Sequence, residues 1–143
     1  ARAEDLDITY RQADARHTGV ESGTCDVVTG TMLLHEMPEQ VIRETIQEAA
    51  RLLKPGGTVA FLEFMPTGDV IRDATVYGHA ERNNEPFFRD LFGADTVGMC
   101  EEAGLTDARW TPFDERAEGV RPQGWGHRPE WHFPWAVLSA TKA

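Results

Sequence analysis

The sequence lacks several features that would place a protein in a class at once. Only two of its 143 residues are cysteines, Cys25 and Cys100, and we expect them to be buried thiols in a reducing cytoplasm rather than a disulfide scaffold. No apolar run approaches the ~20 residues that a membrane-spanning helix needs. Basic residues are scarce, because 14 lysines and arginines stand against 24 aspartates and glutamates. The net charge of −10 therefore argues against nucleic acid or an anionic membrane as the main partner.

The patterns of apolar residues predict strands that alternate with helices. The predicted strands are 8–14, 25–34, 58–64, 106–113 and 133–142, and the predicted helices are 38–53 and 95–105. Residues 25–34 form a nearly continuous apolar run, which is typical of a strand covered on both faces. Residues 66–90 are mixed in character, and 114–132 are expected to form a long loop. A strand, a helix and a strand joined by a short corner indicate a right-handed crossover in a parallel sheet, so the predicted fold class is α/β.

The corner Lys54-Pro55-Gly56-Gly57 allows two interpretations. A lysine beside two glycines could hold a phosphate, but phosphate loops run from a strand through glycines into the start of a helix. Here the helix comes first and the strand follows. Pro55 cannot continue a helix, and either glycine can adopt the left-handed conformation that ends one. We therefore expect a simple bend from helix to strand.

Four pieces of sequence occur in an order that resembles a known family. They are "YRQADA" (10–15), "CDVVTGTMLLHEMP" (25–38), "EAARLLKPGGTVAFLEF" (48–64) and "EEAGL" (101–105). Their order and spacing are similar to those of class I S-adenosylmethionine-dependent methyltransferases, most closely the enzymes that act on small molecules. The resemblance implies a Rossmann-like sheet, mostly parallel with a C-terminal antiparallel strand pair. It also implies S-adenosylmethionine as the cofactor.

The resemblance assigns five residues to the cofactor. It places Asp14 against the adenine amino group, as a hydrogen-bond acceptor, and the backbone N–H of Ala15 against the adenine ring. It places Gly30, Thr31 and Met32 under the methionine part, at the end of a strand where open α/β sheets bind ligands. Each assignment has a structural alternative, since Asp14 could cap a loop and Gly30 could serve close packing.

One part of the family's pattern is missing from this sequence. The family holds the cofactor with a glycine-rich turn after its first strand, and no such turn precedes a helix here. In the family order 3-2-1-4-5-7-6, strand 8–14 corresponds to the third strand and strand 25–34 to the fourth. Residues 1–143 therefore resemble the C-terminal part of a single methyltransferase domain. We expect the N-terminal strands to lie upstream in the intact protein.

His35 and Glu63 are the candidate catalytic residues, because each follows or ends a strand at the expected mouth of the site. Either could act as a base on the acceptor, and either could instead hold the local backbone. The remaining candidates are His79, His127 and His132, which fall in predicted covering loops. They lack the spacing of metal ligands, so the sequence predicts no metal site.

Methyl transfer to an oxygen, nitrogen or carbon of a small-molecule acceptor is the function that the resemblance implies. A non-catalytic half-domain that acts as a binding module is the alternative, and the missing glycine-rich turn supports it. A nicotinamide-dependent enzyme is disfavoured, because that turn would be its main support too. Segments 66–94 and 114–132 are the expected cover of the acceptor. The sequence also allows a homo-oligomer.

Overall fold

The computed structural model describes residues 8–66, 68, 70–112 and 135–143 of the chain. The elements in this part are β1 Cys25–Thr31, α1 Glu39–Leu52, β2 Leu53–Phe64, α2 Val70–Asn83, α3 Phe88–Gly93, α4 Thr96–Glu102, β3 Leu105–Pro112 and β4 Trp135–Lys142. A short 3-10 turn, Leu34–Glu36, lies between β1 and α1. The predicted loop 114–132, with His127 and His132, lies outside the described residues. No helix within the described ranges is long and apolar enough to cross a membrane.

The four strands form one mixed sheet in the order β1-β2-β4-β3. β1 and β2 are parallel, with Val28 opposite Val59, whereas β4 runs antiparallel to both β2 and β3. The α/β class and the closing antiparallel pair are therefore confirmed. Only one of the three strand pairings in the described part is parallel, so this part of the sheet is more mixed than the resemblance implied.

Helix α1 forms because its apolar residues recur on one side. Ile42, Ile46 and Ala49 are buried in the main core, beside Val59 and Phe61 of β2. Pro38 occupies the position just before the first helical residue, where its missing N–H costs no helical hydrogen bond. The prediction of a helix over 38–53 is thus confirmed to within one residue at each end.

The corner after α1 is a bend, and each feature of it has a structural cause. Gly56 has a φ of +80°, in the left-handed region that favours glycine. A Cβ on Gly57 would lie 3.0 Å from the carbonyl oxygen of Asp26, so only glycine allows this close approach. The Nζ of Lys54 lies 2.8 Å from the carboxylate of Asp26. The bend belongs to β2, which begins at Leu53 rather than at residue 58, and the β1–β2 register shifts beside it.

Two predictions about the first strands are wrong. Residues 8–14 form no strand, and their one pairing is an isolated bridge between Asp14 and His17. A strand needs a neighbour for its backbone groups, and the described residues offer none beside this segment. β1 is also not covered on both faces, since Val27 is 59% exposed and β1 is an edge strand in the described part.

The segment 66–90 contains two helices that its mixed composition did not reveal. Among the described side chains of α2, only Val76 and Ala80 are buried, and they form a small second core with Phe64 and Phe88. His79 therefore lies in a helix, not in a loop as predicted.

The elements after α3 follow their predictions closely. Asp95 caps α4 by accepting the N–H of Gly98 at 2.9 Å, and Gly104 ends that turn with a φ of +76°.

Candidate active site

The carboxyl ends of the two parallel strands meet at one edge of the sheet. β1 ends at Thr31, opposite Leu62 of β2. The chain then turns sharply at Met32, whose φ of 53° is uncommon for a residue with a side chain. The N–H of Met32 donates to the carbonyl of Leu62 at 2.9 Å. Ligands of open α/β sheets bind outside this edge, and strained backbone is frequent at such sites, so this edge is the candidate active site.

Glu63 lies at the centre of this edge and is 0% exposed. Its Oε1 accepts the backbone N–H groups of Leu33 at 2.7 Å and Leu34 at 2.6 Å. Its Oε2 lies 2.6 Å from Nδ1 of His35. An ionised carboxylate only accepts hydrogen bonds, so Nδ1 carries the proton of this bond. Glu63 thereby fixes both the turn after β1 and the ring of His35.

His35 is buried between aromatic rings as well as bonded to Glu63. Its ring centroid lies 5.8 Å from that of Phe64 and 5.3 Å from that of Phe88. Burial lowers the pKa of His35, but the hydrogen bond to Glu63 and the charges of nearby glutamates outweigh it, so the pKa lies above its ordinary value of 6.5. The second ring nitrogen, Nε2, lies 3.6 Å from the carboxylate of Glu36, whose side chain is half exposed. Nε2 is therefore the ring nitrogen that Glu63 leaves available, on the side of Glu36.

A third carboxylate, Glu85, approaches the same place from the connection between α2 and α3. One atom from each of His35, Glu36 and Glu85 lies within 4.8 Å of the other two. The Oε2 atom of Glu85 is buried and has no hydrogen-bond partner among the described residues. No sequence pattern points to Glu85, because nothing in the order of residues brings position 85 next to His35.

The segment predicted to hold adenine is anchored to α1. Arg16 donates to both carboxylate oxygens of Asp14 and reaches Glu44 of α1 at 3.3 Å. These bonds from Arg16 lower the pKa of Asp14 to about 2. The backbone N–H of Ala15 has no partner within the described part of the chain. A cavity of about 540 Å³ lies beside this segment, and Asp14, Ala15 and Thr18 line part of it.

Gly30 has a clear packing reason at its position. A Cβ there would lie 2.6 Å from the ring of Phe61, so the strand can hold only glycine at this point without a shift. The next two residues, Thr31 and Met32, are exposed at the strand end. The structure thus brings His35 and Glu63 together, directly after Gly30, Thr31 and Met32. No hydrogen bond or ion pair between described residues joins Asp14 or Ala15 to this edge.

Comparison with known proteins points to one family. Residues 1–57 match the family model described as "Methyltransferase domain". A curated relative, 27-O-demethylrifamycin SV methyltransferase from Amycolatopsis mediterranei, is 30% identical over 140 residues, which cover 84% of this chain and 47% of the relative. The chain therefore spans about half the length of that relative.

Solved structures share the fold at lower identity. An O-methyltransferase family protein from Burkholderia thailandensis is 23% identical with a TM-score of 0.57, over 91% of this chain and 33% of that one. A SAM-dependent methyltransferase from Archaeoglobus fulgidus is 10% identical with a TM-score of 0.66, over 92% of this chain and 66% of that one. The family match over residues 1–57 and the curated relative, together with the shared fold, support a class I S-adenosylmethionine-dependent methyltransferase and imply S-adenosylmethionine as the cofactor.

Proposed function

We propose that this chain serves methyl transfer from S-adenosylmethionine to a small-molecule acceptor. The observation that carries the proposal is the buried His35–Glu63 pair at the carboxyl ends of β1 and β2. Such a transfer needs the nucleophile and the methyl group to be aligned, and it needs help with a proton where the nucleophile carries one. A histidine held in one orientation at the ligand edge of the sheet meets both needs.

Five residues of this chain are proposed to contact the cofactor, which supplies a methyl group on a sulfonium when bound. Arg16 already directs three N–H groups at the Asp14 carboxylate in four contacts, so the adenine amine would share or replace one of these bonds. The N–H of Ala15, which has no partner among the described residues, suits a ring nitrogen of adenine. Gly30, Thr31 and Met32 would face the methionine part from the end of β1. These residues fit the role, although Gly30 also has its packing against Phe61.

The two candidate catalytic residues are proposed to have different roles. Glu63 already accepts three hydrogen bonds and is closed to solvent, so we propose that it positions His35 and does not touch the acceptor. His35 is then the residue that acts on the acceptor, through Nε2. This division of roles explains why a carboxylate is buried at the end of β2.

The acceptor is proposed to lie under α2 and α3. A cavity of about 200 Å³ between these helices is lined by Tyr77, Glu85, Phe88 and Arg89, and Phe88 also contacts the ring of His35. The guanidinium of Arg89 lies 4.9 Å from the centre of the Tyr77 ring, which holds that wall in place. This cavity supports the predicted role of segment 66–94 as cover of the acceptor. The same role for segment 114–132 stays a prediction.

Oxygen is the acceptor atom that we propose first. The curated relative is named as the methyltransferase of an O-demethylated compound, and a hydroxyl is the nucleophile that most needs help with its proton. We also propose a cytoplasmic location, which suits the two free thiols of Cys25 and Cys100. Self-association and the lack of nucleic-acid and membrane partners stay predictions.

The variant His35→Asn tests the proposal in the intact protein. The asparagine amide can still donate to Glu63, but it has no basic nitrogen in place of Nε2. We expect methyl transfer from labelled S-adenosylmethionine to a panel of hydroxylated compounds, including 27-O-demethylrifamycin SV, to fall at least ~100-fold. Cofactor affinity in a calorimetric titration should stay within about twofold, because the affected contact serves the acceptor.

Glu63→Gln separates positioning from simple structural support. If Glu63 acts through His35, it should lower kcat with little change in KM, and the double variant should be no slower than His35→Asn alone. Additive losses, or a parallel loss of cofactor binding, would contradict the proposed roles. Tight cofactor binding without methylation of any acceptor would favour the binding-module alternative.

A further inference from the structure

We propose that Nε2 of His35, Glu36 and Glu85 form a site for one divalent cation at the carboxyl edge of β1 and β2. No metal site was predicted from the sequence, because His79, His127 and His132 lack the spacing of metal ligands. No sequence pattern places Glu85 beside His35. The site stands on its own geometry. It rests on the proposed function only for what the ion would do to an acceptor: with an ion bound, Nε2 would act on the acceptor through that ion and not as a direct base.

The spacing of the three groups suits a shared ion better than direct hydrogen bonds. Nε2 of His35 and Oε1 of Glu36 are 3.6 Å apart, which is too long for a hydrogen bond. Two ligands held at about 2.1 Å by a tetrahedral ion are roughly 3.4 Å apart, close to that separation. The three candidate ligand atoms lie within 4.8 Å of one another, so small movements of the Glu36 and Glu85 side chains would bring all three onto one ion.

The unpartnered oxygen of Glu85 is an independent sign that a cation is expected here. The Glu85 side chain is only 11% exposed. Its Oε1 lies 3.7 Å from Nε2 of His79, whereas its buried Oε2 has no hydrogen-bond partner among the described residues. A buried carboxylate oxygen without a donor is costly, and a bound cation removes that cost. His35 and Glu85 together thus present two buried polar groups to the same small space.

Glu63 gives His35 the arrangement that metal-binding histidines have in proteins. Such a histidine commonly donates its other ring N–H to a carboxylate, which fixes the tautomer and leaves the second nitrogen free to bind the ion. Here Nδ1 lies 2.6 Å from Glu63, so the lone pair of Nε2 is directed away from Glu63. One imidazole and two carboxylates suit Zn²⁺, Mn²⁺ or Fe²⁺ and leave further positions open. An acceptor hydroxyl bound at such a position would lose its proton more readily.

The experiment is a calorimetric titration of the chelator-treated intact protein with Zn²⁺ and with Mn²⁺. We expect one ion to bind per chain. Glu36→Gln and Glu85→Gln should each weaken its affinity at least ~10-fold, and Glu63→Gln should weaken it about 10–100-fold through His35. Glu36 is half exposed, so its variant should remain folded, which thermal melting would verify. Glu39→Gln is the matched control, because Glu39 is a similarly exposed glutamate three residues away and outside the cluster.

Absence of binding by either ion would overturn the proposal, as would binding that Glu36→Gln and Glu85→Gln leave unchanged. In the first case no ion occupies the cluster, and in the second the ion binds elsewhere. The titration contains neither cofactor nor acceptor, so its failure would leave the proposed methyl transfer intact. The converse result is ion binding that Glu36→Gln and Glu85→Gln weaken and Glu39→Gln does not, while no acceptor is methylated. That result would contradict only the proposed function.

Discussion

Asp14 has two candidate roles, and its contacts in the structure support both. Arg16 holds its carboxylate through the side chain and the backbone, which is what a loop-capping aspartate does. Asp14 and Ala15 also line one cavity, and the N–H of Ala15 has no partner in the part of the chain that the structure describes. We predict that Asp14→Ala in the intact protein weakens S-adenosylmethionine binding about tenfold, because the adenine amine loses its acceptor. Calorimetric titration measures this.

The control for Asp14 is a second paired aspartate that lies away from the candidate site. Asp26 stands at the start of β1, and its carboxylate bonds to Lys54 at 2.8 Å. Asp26→Ala removes an exposed ion pair of the same kind, so it should leave cofactor affinity unchanged. Equal affinity for the wild-type protein and the Asp14 variant would assign Asp14 to the loop alone.

At the scale of elements, a buried glutamate joins the 14–18 segment to helix α1. Arg51 donates to both oxygens of Glu48, and the N–H and hydroxyl of Thr18 donate to Oε1 at 2.9 and 2.6 Å. The hydrogen bond from Arg51, together with Thr18 and against the effect of burial, lowers the pKa of Glu48 from 4.5 to about 2. A folded-state pKa below the unfolded one gives stability that is present above about pH 4.5 and lost as the pH falls towards 2.

Glu48→Gln tests this connection by chemical unfolding at two pH values. At pH 6 we expect the variant to be less stable by about 1–3 kcal/mol, the cost of weakening a buried, charge-assisted network. At pH 3 the difference in unfolding free energy should be smaller, because the unfolded wild-type chain binds a proton there. An equal difference in unfolding free energy at both pH values would show that the packing of the Glu48 side chain, not its charge, connects the 14–18 segment to α1.

The sequence predicted those elements whose signal is local. The repeat of Ile42, Ile46 and Ala49 defines α1, and Asp95 and Gly104 mark the ends of α4, because each acts within a few residues. Strand 8–14 had the right alternation but needed a partner that no local pattern supplies. Helix α2 was missed because its buried face is short. The His35–Glu63 pair was anticipated as two separate candidates, and its contact with Glu85 depends on how α2 and α3 pack, which the sequence does not show.

At the scale of the whole molecule, the outer edge of β1 shapes how this chain behaves on its own. In the described part of the chain β1 pairs only with β2, and Val27 is 59% exposed on it. An edge strand with unpaired backbone groups and an exposed apolar side chain favours pairing with another chain, and a lysine on such a strand opposes it. We predict that Val27→Lys lowers self-association of the 143-residue chain, seen as less light scattering at equal concentration.

Val70→Lys is the control for this prediction. It changes an exposed valine at the start of α2, so it adds the same charge away from the sheet edge. If both variants lowered scattering equally, net charge rather than the β1 edge would govern self-association.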